Sequence, residues 1–298
     1  MNFLDFIAVP LGQFLFFIYN TVSFKNYGVA IIIFTIIIKL ALLPLNIRQY
    51  KSTSKMQEIQ PLIQDIQRRY KNDKEKMNQE LMKVYKEHKY NPAGGCLPMI
   101  LQMPIILSLY WVINQPLKYM LRKTPEQISE LLEYVTKALG NGAGMGYSRE
   151  IGIVNFFNEN LSSLSDVSHI LSPSELINFK FLGINLGLVP TIDTNLLFGP
   201  QMSIWLPLML IPILAVATTY FSSKIMMPKT DSNTGKGAMG GAQGTMQLIG
   251  PLMTLMFSFQ LPAGVGMYWT ISNLVQMIQQ LYINKYVLKK KKEVNNIK

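Results

Sequence analysis

The sequence predicts an all-α polytopic membrane protein with five transmembrane helices and a cytoplasmic two-helix hairpin, and three observations carry that prediction. Of the 298 residues 49% are hydrophobic and only 15% charged, against about 25% charged in ordinary soluble domains. The apolar residues gather in blocks that, at roughly 1.5 Å per residue, approach the hydrocarbon thickness of a bilayer. The net charge of +11 is concentrated in the stretches between those blocks.

The elements follow in chain order. Residues 1–24 are apolar from Phe3 to Tyr19, but Asp5, Pro10 and Gln13 interrupt them and no Lys or Arg precedes them. They lack the positive start of a secretory signal and read as an amphipathic helix lying in the outer interface. A sixth span is the alternative. No cysteine for N-terminal lipidation is expected, since Cys96 is the single cysteine and no disulfide can form within the chain. Residues 28–45 form the first span. Between 54 and 90, Met56, Ile59, Leu62, Ile63, Ile66 and Tyr70 recur at helical spacing, and Met77, Leu81, Val84, Tyr85 and His88 trace a second stripe. Asp73 is a natural N-cap for the second helix, Asn91-Pro92 ends it, and Pro61 implies a kink or a late start in the first. The second span is 97–114. A long extracytoplasmic segment, 115–202, follows, with short helices expected over Ile128–Leu139 and Glu150–Leu164 around a glycine-rich loop at 140–146. His169 stands alone there as a surface residue. The remaining spans are 203–223, 246–261 and 264–283, separated by a cytoplasmic Gly- and Ser/Thr-rich loop at 224–245 and followed by a basic tail at 284–298. The fourth span is short, and gains sense as half of a hairpin with the fifth.

Charge sets the orientation. Segment 46–96 holds 11 Lys/Arg and six acids, whereas 116–200 holds six and eight; the tail adds six Lys and one Glu. Under the positive-inside rule the hairpin, the 224–245 loop and the tail are cytoplasmic. Five spans then place the N-terminus and 115–202 outside. The basic balance is thus accounted for by topology and requires no nucleic acid.

Lys39 breaks the first span. It lies ten residues beyond Val29, about 15 Å along a helix, and a charge at such depth costs about 2.5–3.5 kcal/mol even on the insertion scale. It should face water or a partner rather than lipid. Thr35 sits one turn before it; Gln102 and Ser108 are in the second span and Thr218 and Thr219 in the third. In the fifth span Trp269, Asn273, Gln276 and Gln280 share one helical face. Hydrogen-bond glue between helices explains the Ser and Thr residues. It does not explain Lys39, because no span contains an Asp or Glu. A water-filled cavity, open on one side and lined by the amides, is the simplest way to keep Lys39 charged. No catalytic, cofactor-binding or metal-ligand pattern is visible, so no enzyme and no cofactor are expected.

Four stretches carry a family resemblance. They are Thr35-Ile-Ile-Ile-Lys-Leu-Ala-Leu-Leu-Pro-Leu45, Lys55-Met-Gln-Glu-Ile-Gln-Pro61, Asn91-Pro-Ala-Gly-Gly-Cys-Leu-Pro-Met-Ile-Leu-Gln-Met-Pro-Ile105, and Leu261-Pro-Ala-Gly264 with Tyr268-Trp-Thr-Ile-Ser-Asn-Leu-Val-Gln-Met-Ile-Gln-Gln280. The chain resembles the YidC/Oxa/Alb family of membrane protein insertases in its shorter Gram-positive form. The resemblance implies five core spans forming a hydrophilic groove open to the cytoplasm and closed outside, with a helical hairpin after the first span. It places Lys39 at the groove's basic position, where Arg is usual. Lys keeps the charge but lacks the planar fork for bidentate carboxylate binding. Residues 117–178 depart from the family as an insertion. The implied partners are nascent membrane proteins and the lipid bilayer, with the Sec translocon and the ribosome as further candidates and no DNA; the chain works as a monomer in the bacterial cell membrane. A small-anion channel using Lys39, and an assembly chaperone without translocation activity, are the alternatives.

Overall fold

Buried residues Ala8, Gly12, Leu15, Ile18 and Tyr19 recur at helical spacing along α1 (Asp5–Thr21) and lay one face of it on two later helices, α2 (Tyr27–Ala41) and α5 (Ala93–Asn114). Phe6 and Phe17 are left exposed on its other side. The computed structural model describes the backbone of residues 5–91, 93–140, 148–226 and 238–288, with side chains throughout except at 93–102, 226, 238–247 and 286–288. The side chains of Cys96 and Gln102, the glycine-rich stretch 141–146, the loop 227–237 and the tail 289–298 lie outside the described residues.

Asn26 starts α2 by accepting a hydrogen bond from the Val29 amide at 3.1 Å, which satisfies one of the free donors of a helix's first turn. The apolar run continues to Leu45, but the helix does not. It ends at Ala41, and the chain turns by 63° into α3 (Leu43–Arg69). Pro44 in the first turn of α3 is the physical reason: it has no N–H for a continuing helix and its ring crowds the carbonyl four residues back. Pro61, by contrast, is carried inside α3. After a turn, Asp73 caps α4 (Lys74–Glu87) by accepting from the Lys76 amide at 3.0 Å. The half-buried side chains of α4, Met77, Leu81, Val84 and Tyr85, belong to the helix that pairs with α3.

Beyond α5 a compact cap begins. It contains α6 (Pro116–Tyr119), α7 (Pro125–Leu139) and α8 (Arg149–Glu159), then two 3-10 turns at 161–167 and 173–175. A two-stranded antiparallel hairpin follows, β1 (Lys180–Phe181) and β2 (Ile184–Asn185). Thr124 and Gln127 form a reciprocal capping box around Pro125, and Ser148 caps α8. The two helices thus start three and one residues earlier than apolar periodicity alone indicates, and α8 gives way to a 3-10 turn after Glu159.

The cap shares one core with the bundle. Leu131, Val135, Val154, Phe157 and Phe179 are packed in the same cluster as Leu15, Tyr19, Tyr27 and Ile31. The Tyr27 and Phe179 rings meet edge to face at 5.0 Å, and the Asn178 amide donates to the Tyr19 hydroxyl at 3.0 Å. A Cβ on Gly28 would fall inside the Phe181 ring, so only glycine lets β1 lie this close to α2. Glu150, at the start of α8, accepts from the Lys118 backbone N–H at 3.0 Å and so caps α6. Burial pushes its carboxyl up to about 7, against the opposing pull of the Lys118 and Leu117 amides. Next to it Asp5 accepts from the Tyr119 hydroxyl at 2.7 Å and from Lys118 Nζ at 3.2 Å, which ties the cap to the head of α1.

The chain re-enters the bundle through α9 (Thr194–Leu197), α10 (Met202–Leu208) and α11 (Leu210–Met226). It then folds back as α12 (Ala238–Ser258) and α13 (Ala263–Tyr282), and α13 runs into a π-helical turn at 283–288. α11 packs against both α12 and α13, and α13 against α2. The Ala263 and Gly264 amides, free at the head of α13, donate to the Leu188 and Leu186 carbonyls at 2.8 and 2.7 Å. Among the described residues, Met202–Ile225 is by itself long and apolar enough to cross a membrane; α2 with α3 passes the same test as a bent pair, and Met103–Asn114 and Leu248–Ser258 are shorter apolar stretches. α13 carries too many amides to pass alone.

Candidate functional site

Lys39 sits in the last turn of α2, two residues before the bend, and is 2% exposed. Its ammonium donates to Gln276 Oε1 of α13 at 3.1 Å. Three residues on, Gln279 does two jobs. Its Nε2 donates to the Lys39 carbonyl at 3.1 Å, and its Oε1 accepts from Asn46 Nδ2 of α3 at 3.1 Å. The bend interrupts the helical ladder and leaves carbonyls without intrahelical donors; Gln279 supplies one and holds the start of α3 in the same grip. Tyr50, one turn further along α3, places its hydroxyl 3.5 Å from the Gln276 carbonyl. The result is a buried polar junction of α2, α3 and α13 with a single cation at its centre. No ion pair involves Lys39 among the described residues.

A second polar seam joins α13 to α11. Thr219 Oγ1 accepts from Trp269 Nε1 at 3.1 Å and from Asn273 Nδ2 at 2.9 Å, and lies 3.3 Å from Thr254 Oγ1 of α12. Thr218 is a weaker partner of Asn273 at 3.4 Å. Thr219 in turn donates to the Ala215 carbonyl at 2.8 Å, so its one proton is used and its oxygen is left to accept. One turn of α13 separates the two seams, with Asn273 serving one and Gln276 the other.

The other candidates are placed as follows. Thr35 is fully buried but donates to the Ile31 carbonyl of its own helix at 2.6 Å, so it contributes a methyl and an oxygen rather than a free donor. Ser108 is buried with no hydrogen-bond partner for its hydroxyl among the described residues. Gln280 donates to Asn284 Oδ1 at 2.9 Å, and its own side-chain oxygen has no hydrogen-bond partner among the described residues. Gln102 lies outside the described side chains. His169 is on the surface beside Glu130 at 2.8 Å.

Sequence reasoning passed over Gln279, Asn46 and Tyr50, and gave no ground for ranking Thr219 above Thr218. Two signals were available. Gln276, Gln279 and Gln280 fall on adjacent faces of one helix at spacings of three and four, and Asn46 is the first polar residue after Pro44.

The sequence matches the family described as 60Kd inner membrane protein over residues 17–291. It is 33% identical over 280 residues to the membrane protein insertase YidC of Clostridium perfringens, covering 92% of this chain and 86% of that one. The YidC of Clostridium tetani is 33% identical over 260 residues, covering 87% and 82%, and that of Caldanaerobacter subterraneus is 33% identical over 274 residues, covering 92% of each. The matched region takes in α2, the hairpin, α13 and both polar seams, and the chain therefore belongs to the 60Kd inner membrane protein family, the YidC/Oxa/Alb insertases.

Proposed function

We propose that the protein is a membrane protein insertase that receives nascent transmembrane segments at the Lys39 junction and releases them into the lipid bilayer, alone or beside the Sec translocon. The observation that carries this reading, beyond the family, is the exchangeable hydrogen bond from Lys39 to Gln276. A neutral amide holds the one cation at that junction, and a carboxylate on a guest makes a stronger, charge-assisted bond to the same ammonium. A short acidic tail entering between α2 and α13 can take the place of Gln276 while Gln279 keeps the bend in position. The guest's apolar segment then partitions into lipid, which supplies the driving force. No covalent chemistry is assigned to the site.

In this reading α2, α5, α10–α11, α12 and α13 are the five spans, α3 and α4 form the cytoplasmic hairpin that meets guests first, and the cap is extracytoplasmic. The N-terminus is outside and the basic tail inside, where it offers a contact for anionic lipid or ribosome. The chain sits in the bacterial cell membrane.

Complementation of an insertase-depleted strain by Lys39→Ala and Lys39→Arg tests the charge. Lys39→Arg is expected to support insertion of single-span guests with acidic tails and Lys39→Ala to lose it; equal insertion by Lys39→Ala refutes the role. Purified protein in liposomes separates the rival readings. Protease-protected insertion of a single-span guest supports the insertase. Anion flux without insertion supports a channel, and neither activity supports an assembly chaperone.

A further inference from the structure

Three bulky apolar side chains stand almost fully in the open at loop tips of the outer cap: Phe24 is 92% exposed, Leu182 86% and Phe198 69%. Two of them occupy backbone that such residues rarely adopt, Phe24 at φ 51° and Leu182 at φ 48°. A bulky residue at positive φ is an outlier held in place by its surroundings. Here the surroundings are specific. The Lys25 amide donates to the Tyr19 carbonyl at 3.0 Å, which closes the turn carrying Phe24. The β1–β2 hairpin carries Leu182 at its tip and is pressed onto α2 through Phe181 and Gly28.

Each tip is tied to the entry of a helix. Phe24 precedes the first residue of α2 by three positions, and Phe198 precedes the first residue of α10 by four. β1 packs on α2 and β2 on α10, so the Leu182 hairpin bridges the two helix entries. Ile192, 72% exposed, lies in the loop that leads to Phe198. The charged residues of these loops, 22–26, 180–185 and 191–201, are Lys25, Lys180 and Asp193.

We propose that Phe24, Leu182 and Phe198 form an apolar collar that inserts into the outer leaflet beside the bundle, with the first acyl carbons of the lipids as its partner and Lys25 and Lys180 at the level of the phosphates. Left-handed turns at Phe24 and Leu182 turn these side chains away from the shared core, and the place they reach is continuous with the entries of α2 and α10. Amphipathic surfaces of this kind lie in the interface rather than across it. The collar fixes the height of the cap on the membrane, and through the hairpin it fixes the entries of α2 and α10. The proposal rests on the reading that α2 and α10–α11 cross the bilayer.

The full-length protein with Cys96→Ser, carrying single cysteines at Phe24, Leu182 or Phe198, tests it after labelling with a nitrobenzoxadiazole fluorophore and reconstitution into phosphatidylcholine–phosphatidylglycerol vesicles. All three side chains are largely exposed, so their replacement removes little internal packing. Glu133→Cys on the exposed side of α7 serves as the aqueous reference and Ile213→Cys, exposed near the middle of the Met202–Ile225 span, as the deep one. The collar labels are expected to be quenched by a nitroxide placed high on the acyl chain and shielded from iodide at least threefold relative to position 133. Iodide quenching equal to that at 133, with the label at 213 still quenched by a deep nitroxide, overturns the collar and leaves the spans standing. Shielding from both quenchers means that protein, a second copy or a partner, covers the tips, and that also overturns it. A label at 213 that the deep nitroxide fails to quench overturns the span reading and the collar together.

Discussion

Replacing Glu150 by Gln should make the protein more stable at pH 8 and change it little at pH 5. Glu150 is buried where α8 meets α6, and its carboxyl lies at about 7 against an ordinary 4.5. The native state therefore holds a proton on Glu150 more tightly than the unfolded chain does. Stability from this group is complete below about pH 4.5, falls as pH rises toward 7, and levels off above it. The rise from 4.5 to about 7 corresponds to about 3 kcal/mol in all, of which about 2.5 kcal/mol is lost between pH 5 and pH 8. Gln keeps an oxygen to accept from the Lys118 amide and never ionises. Denaturant unfolding of both proteins in detergent, at half-unit steps from pH 5 to 8, measures the difference directly. The Gln variant should gain on the wild type steadily up to pH 7 and then hold its lead. A difference that stays flat across that range, or that favours the wild type at pH 8, refutes the argument that burial outweighs the amide donors and the nearby Lys118 charge.

Two further outcomes follow from the packing. Gln279→Leu leaves the Lys39 carbonyl and the Asn46 amide without their partners, and should destabilise by about 1–3 kcal/mol; combined with Asn46→Leu it should show a coupling of roughly 0.6 kcal/mol, the average for polar contacts within a membrane bundle, whereas strict additivity in the unfolding measurements would break the proposed link between the bend and α13. Gly28→Ala drives a methyl into the Phe181 ring and should cost about 1–3 kcal/mol, as overpacking does; Phe181→Ala in the same chain should recover part of that loss in a thermal melt.

Some of this architecture is legible in the sequence because it is local. Asp73 caps α4 with its own side chain, and the stripes over 56–70 and 77–88 depend only on helical spacing. The apolar block around Lys39 is equally plain. The turn at Leu42 is not, because the apolar residues continue past Lys39 to Leu45 and only Pro44, one residue in seventeen, marks the break. Lys39 and Gln276 can be singled out by residue type in an apolar setting. Their pairing across 237 positions cannot, and Gln279 is recognised only once the bend supplies a carbonyl for it to serve. Thr219 outranks Thr218 for a similar reason. The two are adjacent in sequence, and the rotation of α11 against α13 decides which oxygen meets Trp269 and Asn273.

The 63° turn at Leu42 has an electrostatic effect of its own. Peptide dipoles add along a helix to leave about half a negative charge at its C-terminal end, and a cation in the last turn gains about 0.3–1 kcal/mol, rising to about 2 kcal/mol where it is partly buried. A straight helix through residue 45 and onward would carry that negative end further along the chain, away from Lys39. Because α2 stops at Ala41, the end falls beside Lys39 instead. The interruption thus sets the carbonyls of the last turn of α2 beside the lysine, while the head of α3, which begins at Leu43, brings the opposite sign to the same bend, so the gain lies at the low end of that range. A backbone dipole cannot be protonated or recruited into a competing ion pair, so Lys39 gains this help while forming no ion pair among the described residues, as the proposed capture of a guest carboxylate requires.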